Sequence, residues 1–218
     1  MNCKNCKQPC CKWGRQANGT QRFFCRICKT TQQEYYTYKA AATNLRPMII
    51  KLVCDAVSIR GMARILSISI TTVSKLIRCI ASAIVKPSVP INRHAFEVEE
   101  LRTFVGNKQN QYWVAYAFCP DTKQVIDFIV GKRTKASLRT LINTVLQSGV
   151  GKIRTDGLSA YRSLIPDRMH ETSAYSINHI ERNNLNLRTH LKRLSRRTIC
   201  FSKTTSMLEH CLKIYFWR

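Results

Sequence analysis

Residues 155–194 read TDGLSAYRSLIPDRMHETSAYSINHIERNNLNLRTHLKRL, and the interpretation of the whole chain starts from this stretch. Asp156 lies at the end of a short strand candidate that begins at Lys152, and Glu181 lies in a basic helix predicted over Ile180–Leu194. Apolar residues recur in that helix at spacings of three or four, which is typical of a helix with one buried face. The chain has only 12 acids among 218 residues, so two carboxylates placed beside cations indicate a functional site.

The stripe next to the apolar face contains Glu181, Leu185, Arg188 and Lys192, which the helical repeat places on nearly the same side. A carboxylate in line with arginine and lysine suits a divalent metal ion next to a phosphate backbone. The alternative is a solvent-exposed face that Glu–Arg pairing stabilises.

The charge of the chain indicates a polyanionic partner. Its 36 Lys and Arg leave a net charge of +24, which favours nucleic acid. A membrane-surface protein is disfavoured because no basic amphipathic helix carries the exposed Trp and Phe that such binding uses. The sequence shows no signal peptide and no apolar run of bilayer length. We therefore expect a cytoplasmic protein without a membrane partner, in which the 11 cysteines stay reduced or bind metal.

Residues 1–34 predict a zinc ribbon. Two Cys-x-x-Cys pairs, separated by 18 residues, have the spacing of a four-thiolate zinc site whose ligands are Cys3, Cys6, Cys25 and Cys28. A module this short cannot bury enough apolar surface alone, so zinc would supply its folding energy. Cys10 and Cys11 are interpreted as non-ligands. The many Lys and Arg of this module favour contact with DNA.

Residues 45–86 predict a helical domain with a helix-turn-helix. A small helix is expected to end near Leu66, and a second to begin under a serine cap at Ser69, after a turn over Ser67–Ser69. The second helix offers candidates for contact with the DNA major groove: Thr71, Thr72, Ser74, Lys75 and Arg78. The Pro-containing segment 86–90 marks a domain boundary.

Residues 93–218 predict a mixed α/β domain. Three strand candidates are followed by a helix, a strand ending at Asp156, a short helix, another short strand and the basic helix. This order is compatible with a ribonuclease-H-like fold. Carboxylates at the ends of its central strands, with one from a late helix, can meet around two metal ions roughly 3.5–4 Å apart. The chain is therefore predicted to be a multidomain α+β protein.

The motifs resemble those of the IS-one family of bacterial insertion-sequence transposases, which are DDE-type recombinases. The resemblance is carried by TDG at 155–157, IERNNLNLRTHLKRL at 180–194 and FSK at 201–203, with 24 residues between Asp156 and Glu181. The segment EVEELRTFVG at 97–106 is similar to the family's ELDExWSYVG. Ribbon, helix-turn-helix and catalytic core stand in the family's order.

This resemblance implies that Glu99, Asp156 and Glu181 hold two Mg²⁺ or Mn²⁺ ions that activate water, and then a DNA 3′-hydroxyl, for attack on phosphodiester bonds. It implies that Arg188 binds a phosphate and that Asn184 and His190 orient water or DNA, although His190 could equally be a surface or core-edge histidine. Contacts to the DNA backbone are expected from Arg182, Lys192, Arg193, Arg196, Arg197 and Lys203. The implied partners are double-stranded DNA, as element ends and target, and further copies of the chain on the bacterial or archaeal nucleoid.

Two departures from the family pattern leave alternatives open. Glu99 stands where the family has Asp, and Arg102 replaces a Trp. Strand alternation places Glu97 and Glu99 on one face and Glu100 on the other, where it is exposed or orients a basic neighbour. The alternatives to a transposase are a catalytically inactive DNA-binding regulator and a ribonuclease-H-type nuclease that does not join ends.

Overall fold

The protein has a mixed α+β fold whose contacts divide it into two units, Met1–Thr43 and Asn44–Arg218. The computed structural model describes residues 1–36, 44–88, 95–172, 177–195, 198 and 200–218. The larger unit holds both the helical region and the strand-rich region. The finer division into residues 1–34, 45–86 and 93–218 stays a prediction.

The first unit is an antiparallel sheet of strands β1 (Cys11–Arg15), β2 (Gln21–Cys25) and β3 (Thr30–Gln33), in that order. Gly19 has a φ of 80° in the turn between β1 and β2, a left-handed conformation that glycine adopts without steric cost. Among residues 1–36, Cys3 and Cys25 are the only buried side chains of the hydrophobic class, whereas Trp13 is 53% exposed. Apolar burial therefore contributes little to the stability of this unit.

Three helices begin the second unit: α1 (Leu45–Cys54), α2 (Ile59–Leu66) and α3 (Ile70–Ala83). Ser58 and Ser69 cap α2 and α3, because each side chain accepts a hydrogen bond of 3.0 Å from a backbone N–H of the first turn. Ser67 ends α2 with a φ of 52°, so the helix ends and the turn coincide with those expected from the sequence. Within the described chain, no single helix is long and apolar enough to cross a membrane; α2 and α3 pass that test of length and composition only as a pair bent by 107°.

A five-stranded sheet forms the centre of this unit. Its strands are β4 (Ala95–Val105), β5 (Asn107–Cys119), β6 (Gln124–Gly131), β7 (Lys152–Thr155) and β8 (His170–Glu171), in the order β6-β5-β4-β7-β8. Strands β4, β5 and β6 pair antiparallel, while β7 is parallel to both β4 and β8. The third strand in this order, β4, therefore lies at the junction of the antiparallel and parallel halves.

The sheet is covered on both faces. Helices α4 (Lys135–Gln147) and α5 (Ser159–Arg162) pack on one face, against a core that includes Phe96 and Val98. Helices α1–α3, α6 (Asn178–His190) and α7 (Thr205–Trp217) share the core of the opposite face, which includes Leu101. Because side chains alternate along a strand, the odd-numbered residues of β4 face α6 and the even-numbered ones face α4 and α5. Helix α7 has no counterpart among the elements predicted from the sequence.

The basic helix is shorter at its C-terminal end than predicted. Helix α6 ends at His190 and is followed by a 3₁₀ turn over Lys192–Leu194, so the expected continuous helix to Leu194 is wrong there. The chain folds back on the helix because Arg188 Nη1 donates to the Leu194 carbonyl at 2.7 Å and Ser195 Oγ donates to the Arg188 carbonyl at 3.0 Å. Lys192 consequently lies outside the helical stripe of Glu181.

Replacing Ile77 by alanine tests the packing of α3. Ile77 is fully buried, so Ile77→Ala should lower the free energy of unfolding by about 2–5 kcal/mol through lost contacts and a cavity. Urea unfolding followed by circular dichroism measures this change. The exposed neighbour supplies the control, since Arg78→Ala should stay within about 0.5 kcal/mol of wild type. Equal effects of the two substitutions would contradict the packing described here.

Candidate active site

The first two candidate ligands lie on neighbouring parallel strands. Val98 of β4 pairs with Thr155 of β7, so the next residues along the two strands are Glu99 and Asp156. Asp156 follows the last residue of β7, and its Oδ1 accepts a hydrogen bond from the Leu158 N–H at 3.1 Å. The sheet thus brings together two acids that are far apart in the sequence.

The third candidate ligand comes from α6, which packs over β4. Glu181 lies in the first turn of this helix and is exposed. It lines an open cleft of about 410 Å³, together with Glu99, Glu100, Leu101, Arg102, Trp113, Asn184, Leu185 and Arg188. The cleft therefore contains two of the three predicted acids and the arginine that was predicted to bind phosphate.

Electrostatics connects the three acids. The pKa of Glu99 is raised to about 7, chiefly by burial and then by the negative charges of Glu181 and Asp156. These carboxylates do not form a closed ligand cage, because among the described residues only four cysteines bring potential ligand atoms within 4.8 Å of one another. Oxygen donors, mutual repulsion and an open cleft nevertheless fit a hard divalent cation, since Mg²⁺ binds a few carboxylates and keeps room for water and substrate oxygens.

A polar network that the sequence analysis missed surrounds Glu99. Asn184 Nδ2 donates to Glu99 Oε2, and the hydroxyl of Tyr116 donates to Asn184 Oδ1 at 2.8 Å. Tyr116 is fully buried on β5 and is the cross-strand partner of Glu99. Asn184 thus orients a predicted ligand directly. The pairing register of β4 with β5 would have identified Tyr116, but the sequence does not reveal that register.

Glu100 occupies the opposite face of β4, as alternation predicts, but it is buried and not exposed. Its Oε2 lies 3.3 Å from Arg133 Nη2, so the expectation that it orients a basic neighbour describes its contact better. Burial raises the pKa of Glu100, and Arg133 opposes that shift. The buried Tyr161 also interacts with the Glu100 carboxyl and opposes the rise of its pKa.

Arg188 lines the cleft and is also part of the fold. Its Nη1 holds the Leu194 carbonyl, as described above, and the side chain is half-buried. His190 is exposed, and its Nδ1 lies 2.7 Å from the Tyr215 hydroxyl on α7. His190 therefore corresponds to the surface alternative, whereas Arg188 stays beside the acids.

The predicted DNA-contact residues divide by exposure. Arg193 is only 8% exposed, and its Nη1 donates to Ser202 Oγ at 2.8 Å, so this side chain is unavailable to a DNA phosphate in this structure. Arg196 and Arg197 lie outside the described residues. Exposed cations are present at Lys75, Arg78, Arg182, Lys192 and Lys203.

The start of α3 has hydroxyl groups in partly structural roles. Ser69 Oγ lies 2.8 Å from the hydroxyl oxygens of both Thr71 and Thr72, and Ser74 Oγ donates to the Ile70 carbonyl at 2.9 Å. Thr71 is exposed, whereas Thr72 and Ser74 are half-buried. Of the five predicted groove contacts, Thr71, Lys75 and Arg78 therefore have the most accessible side chains.

The ribbon brings its four predicted thiols together. Potential ligand atoms of Cys3, Cys6, Cys25 and Cys28 all lie within 4.8 Å of one another, which fits a tetrahedral zinc ion. Backbone hydrogen bonding by Cys6 lowers the pKa of Cys3 to about 6, which favours the thiolate that binds metal, whereas a side-chain hydrogen bond with Cys6 raises the pKa of Cys28. Cys11 donates to the Phe24 carbonyl instead, and neither Cys10 nor Cys11 belongs to the cluster.

Gln32 is a second residue that sequence reasoning missed. It is buried, its Nε2 donates to Cys3 Sγ at 2.9 Å, and its Oε1 accepts from the Lys4 N–H at 2.8 Å. An N–H donor to a ligand sulfur stabilises the thiolate and fixes its orientation. A lone glutamine on β3 carries no sequence signal for this role.

Comparisons with known proteins identify the family of the strand-rich part of the chain. Residues 94–217 match the family described as IS1 transposase. The chain belongs to the IS1 transposase family. Insertion element iso-IS1n protein InsB of Shigella dysenteriae is 37% identical over 113 residues, which cover 52% of this chain and 86% of that protein. Insertion element IS1 protein InsB of Shigella sonnei is 35% identical over 119 residues, covering 55% of this chain and 91% of that protein.

One solved structure resembles the chain only weakly. It is the cryo-EM structure of a simian T-cell lymphotropic virus intasome in complex with PP2A regulatory subunit B56 gamma. The likeness covers 77% of this chain and 66% of the matched chain at 14% identity, with a TM-score of 0.40, which is too low to establish a shared fold.

The IS1 transposase match confirms the family predicted from the motifs and supports a transposase role. It includes Glu99, Asp156 and Glu181, so all three candidate acids lie inside the family's domain. It does not include the ribbon or helices α1–α3. The functions of these N-terminal parts of this IS1 transposase therefore rest on their own residues.

The thiol cluster predicts a zinc-dependent ribbon. The purified chain should hold one Zn²⁺, and Cys25→Ser should lose it because three thiols cannot complete the tetrahedral site. Gln32→Ala should weaken zinc affinity by about 10- to 100-fold through loss of the N–H···S contact. Competition with a chromophoric chelator measures both effects. Cys79→Ser, at an exposed thiol of α3, is the control, and equal zinc loss in that variant would contradict the assignment.

Proposed function

We propose that this IS1-family protein binds the inverted-repeat ends of its insertion sequence and catalyses metal-dependent DNA cleavage and strand transfer. The observation that carries the proposal is the position of Glu99 beside Asp156 on paired strands and beside Glu181 in one cleft, inside the region that matches the transposase family. The strand order β6-β5-β4-β7-β8, with only the β4–β7–β8 half parallel, supports a ribonuclease-H-like catalytic domain.

The three candidate acids, Asn184 and Arg188 each have a defined role in this proposal. Glu99, Asp156 and Glu181 would hold Mg²⁺ or Mn²⁺, which when bound lowers the pKa of the attacking water or 3′-hydroxyl and stabilises the leaving oxygen. Asn184 holds the Glu99 carboxylate in orientation through its side-chain amide. Arg188 would bind a phosphate of the DNA strand being cut, a role that its position in the lining of the same cleft supports.

The N-terminal parts supply DNA binding in this proposal. The accessible side chains of α3 would enter the major groove as a recognition helix, after the serine-capped turn that follows α2. The ribbon adds exposed cations at Lys4, Lys7, Lys12, Arg15, Arg26 and Lys29, which suit phosphate contacts. Pairing two element ends requires more than one copy of the chain, and the reaction places the protein with the DNA of the bacterial or archaeal cytoplasm.

Two alternatives to a transposase differ from it in the reaction that they would catalyse. A nuclease of the same fold would cut DNA without joining a 3′-end to a target. An inactive DNA-binding regulator would keep the ribbon and α3 but would not cut, and the replacement of the family's Asp by Glu99 is the observation that favours it.

Cleavage of the element's own labelled ends distinguishes these functions. With Mg²⁺ or Mn²⁺, the wild type should cut and join ends, while Glu99→Ala, Asp156→Ala and Glu181→Ala should each lose at least about a hundredfold in rate, because a 1 Å error in placing reactive groups costs that much. Glu209→Ala, at an exposed acid of α7, is the matched control.

The outcomes separate the candidates. Cutting without joined products would indicate a nuclease, and activity confined to Glu99→Asp would indicate an inactive regulator. Full activity in Asp156→Ala and Glu181→Ala would overturn the metal site.

The proposed recognition helix predicts a salt-dependent loss of binding. Arg78→Ala should weaken binding to the element's ends more than binding to unrelated DNA, because a groove contact is lost, and should reduce the slope of log K against log salt by about 1, because one cation near the phosphates is lost. Fluorescence anisotropy over a salt series measures the slope. Ser82→Ala, exposed farther along α3, should leave it unchanged. An unchanged slope for Arg78→Ala would exclude this residue from the phosphate contacts.

A further inference from the structure

Glu97 is a buried carboxylate that the proposed chemistry does not use. It is fully buried on β4, two residues before Glu99 and on the same strand face. Its Oε2 accepts a hydrogen bond of 2.6 Å from the Ile180 N–H, and its Oε1 lies 2.8 Å from His179 Nδ1. Burying a carboxylate is costly unless it is well bonded, so these contacts explain how Glu97 is accommodated.

Helix α6 begins without a side-chain cap from its own N-cap residue, Ile177. The first N–H groups of a helix have no partner within the helix, and this end carries a partial positive charge. Glu97 supplies both the acceptor and the negative charge from the neighbouring strand. A helix is usually capped by the residue just before it in the sequence. Here Glu97 of β4 takes that role for α6.

The backbone of Ile180 contacts two strands of the sheet. Its N–H donates to Glu97 of β4 at 2.6 Å, and its carbonyl lies 3.2 Å from the Tyr116 hydroxyl of β5, whose single proton makes the shorter hydrogen bond to Asn184 Oδ1. Its side chain is fully buried in the core beneath the helix. The next residue is Glu181, so these contacts fix the backbone of this candidate ligand relative to β4, which carries Glu99, and β5, which carries Tyr116.

We propose that Glu97 is a positioning residue of the active site, which fixes the start of α6 on β4 so that Glu181 faces Glu99 across the cleft. The inference rests on the proposed metal site. Glu97 should therefore affect cation binding as well as folding. The distance between Glu99 on β4 and Glu181 on α6 depends on the hydrogen bond from the Ile180 N–H to Glu97.

Binding of Mn²⁺ alone to the full chain tests the inference without DNA or turnover. Glu97→Gln keeps the size of the side chain but removes the negative charge that faces the positive end of α6, so it should weaken Mn²⁺ binding by about 10- to 100-fold, as loss of outer-shell interactions does in other metal sites. Glu97→Asp retains the charge but shortens the reach, and it should restore binding only in part. Electron paramagnetic resonance of free Mn²⁺ measures the affinity.

A local readout and a stability control separate positioning from a general loss of fold. Amide hydrogen exchange should rise in the peptide covering 177–185 of Glu97→Gln and stay unchanged in α4. Val145→Ala, in the core on the other face of the sheet, should lower the melting temperature yet leave Mn²⁺ affinity within about twofold, since distant sites act independently.

The outcomes are distinct. The positioning role is overturned if the wild type binds Mn²⁺ and Glu97→Gln binds it as tightly, or loses no more affinity than Val145→Ala does. The metal site itself would stand in that case. Absence of saturable Mn²⁺ binding by the wild type overturns the metal site and the inference together. Weakened binding with exchange raised only at the start of α6 supports both.

Discussion

The parallel pairing of β4 with β7 determines where the acids of this protein lie. The Val98–Thr155 pair places Glu99 next to Asp156, and a slip of one residue in β4 would turn Glu99 toward the opposite face of the sheet. Apolar side chains prevent that slip, because Phe96 and Val98 belong to one core and Leu101 to the other. The geometry of the candidate site thus depends on apolar residues that do not belong to it.

Glu99 has an electrostatic environment unlike that of several other acids in the chain. In a protein of net charge +24, several acids have a specific partner: Asp127 pairs with Lys86, Glu100 with Arg133, and Glu171 with Lys152 and Arg154. Glu99 differs, because the charges that shift its pKa are carboxylates. The Asn184 amide stabilises the partly buried negative charge of Glu99, whereas the carboxylates of Glu181 and Asp156 repel it. A bound cation would reduce this repulsion.

Sequence patterns predicted those features that depend on local spacing. The two Cys-x-x-Cys pairs gave the thiol cluster, the serine caps gave the start of α3, and strand alternation separated Glu99 from Glu100. Features that depend on tertiary contacts were not predictable: the burial of Arg193 against Ser202, the end of α6 at His190, and the hydrogen bonds of Gln32, Tyr116 and Glu97. These features depend on sheet register or on a chain reversal. Neither of these produces a periodic pattern in the sequence.

The glutamate in place of the family's aspartate has a defined place in the proposed metal site. One additional methylene moves the carboxylate farther from β4, and in this chain the displaced group meets Asn184, which Tyr116 holds in turn. Acids that repel one another in a partly buried cleft reduce the stability of the fold, so a protein that needed only to bind DNA would be more stable with neutral residues there. The three acids and the hydrogen bonds that orient Glu99 therefore support the cation-dependent chemistry proposed above.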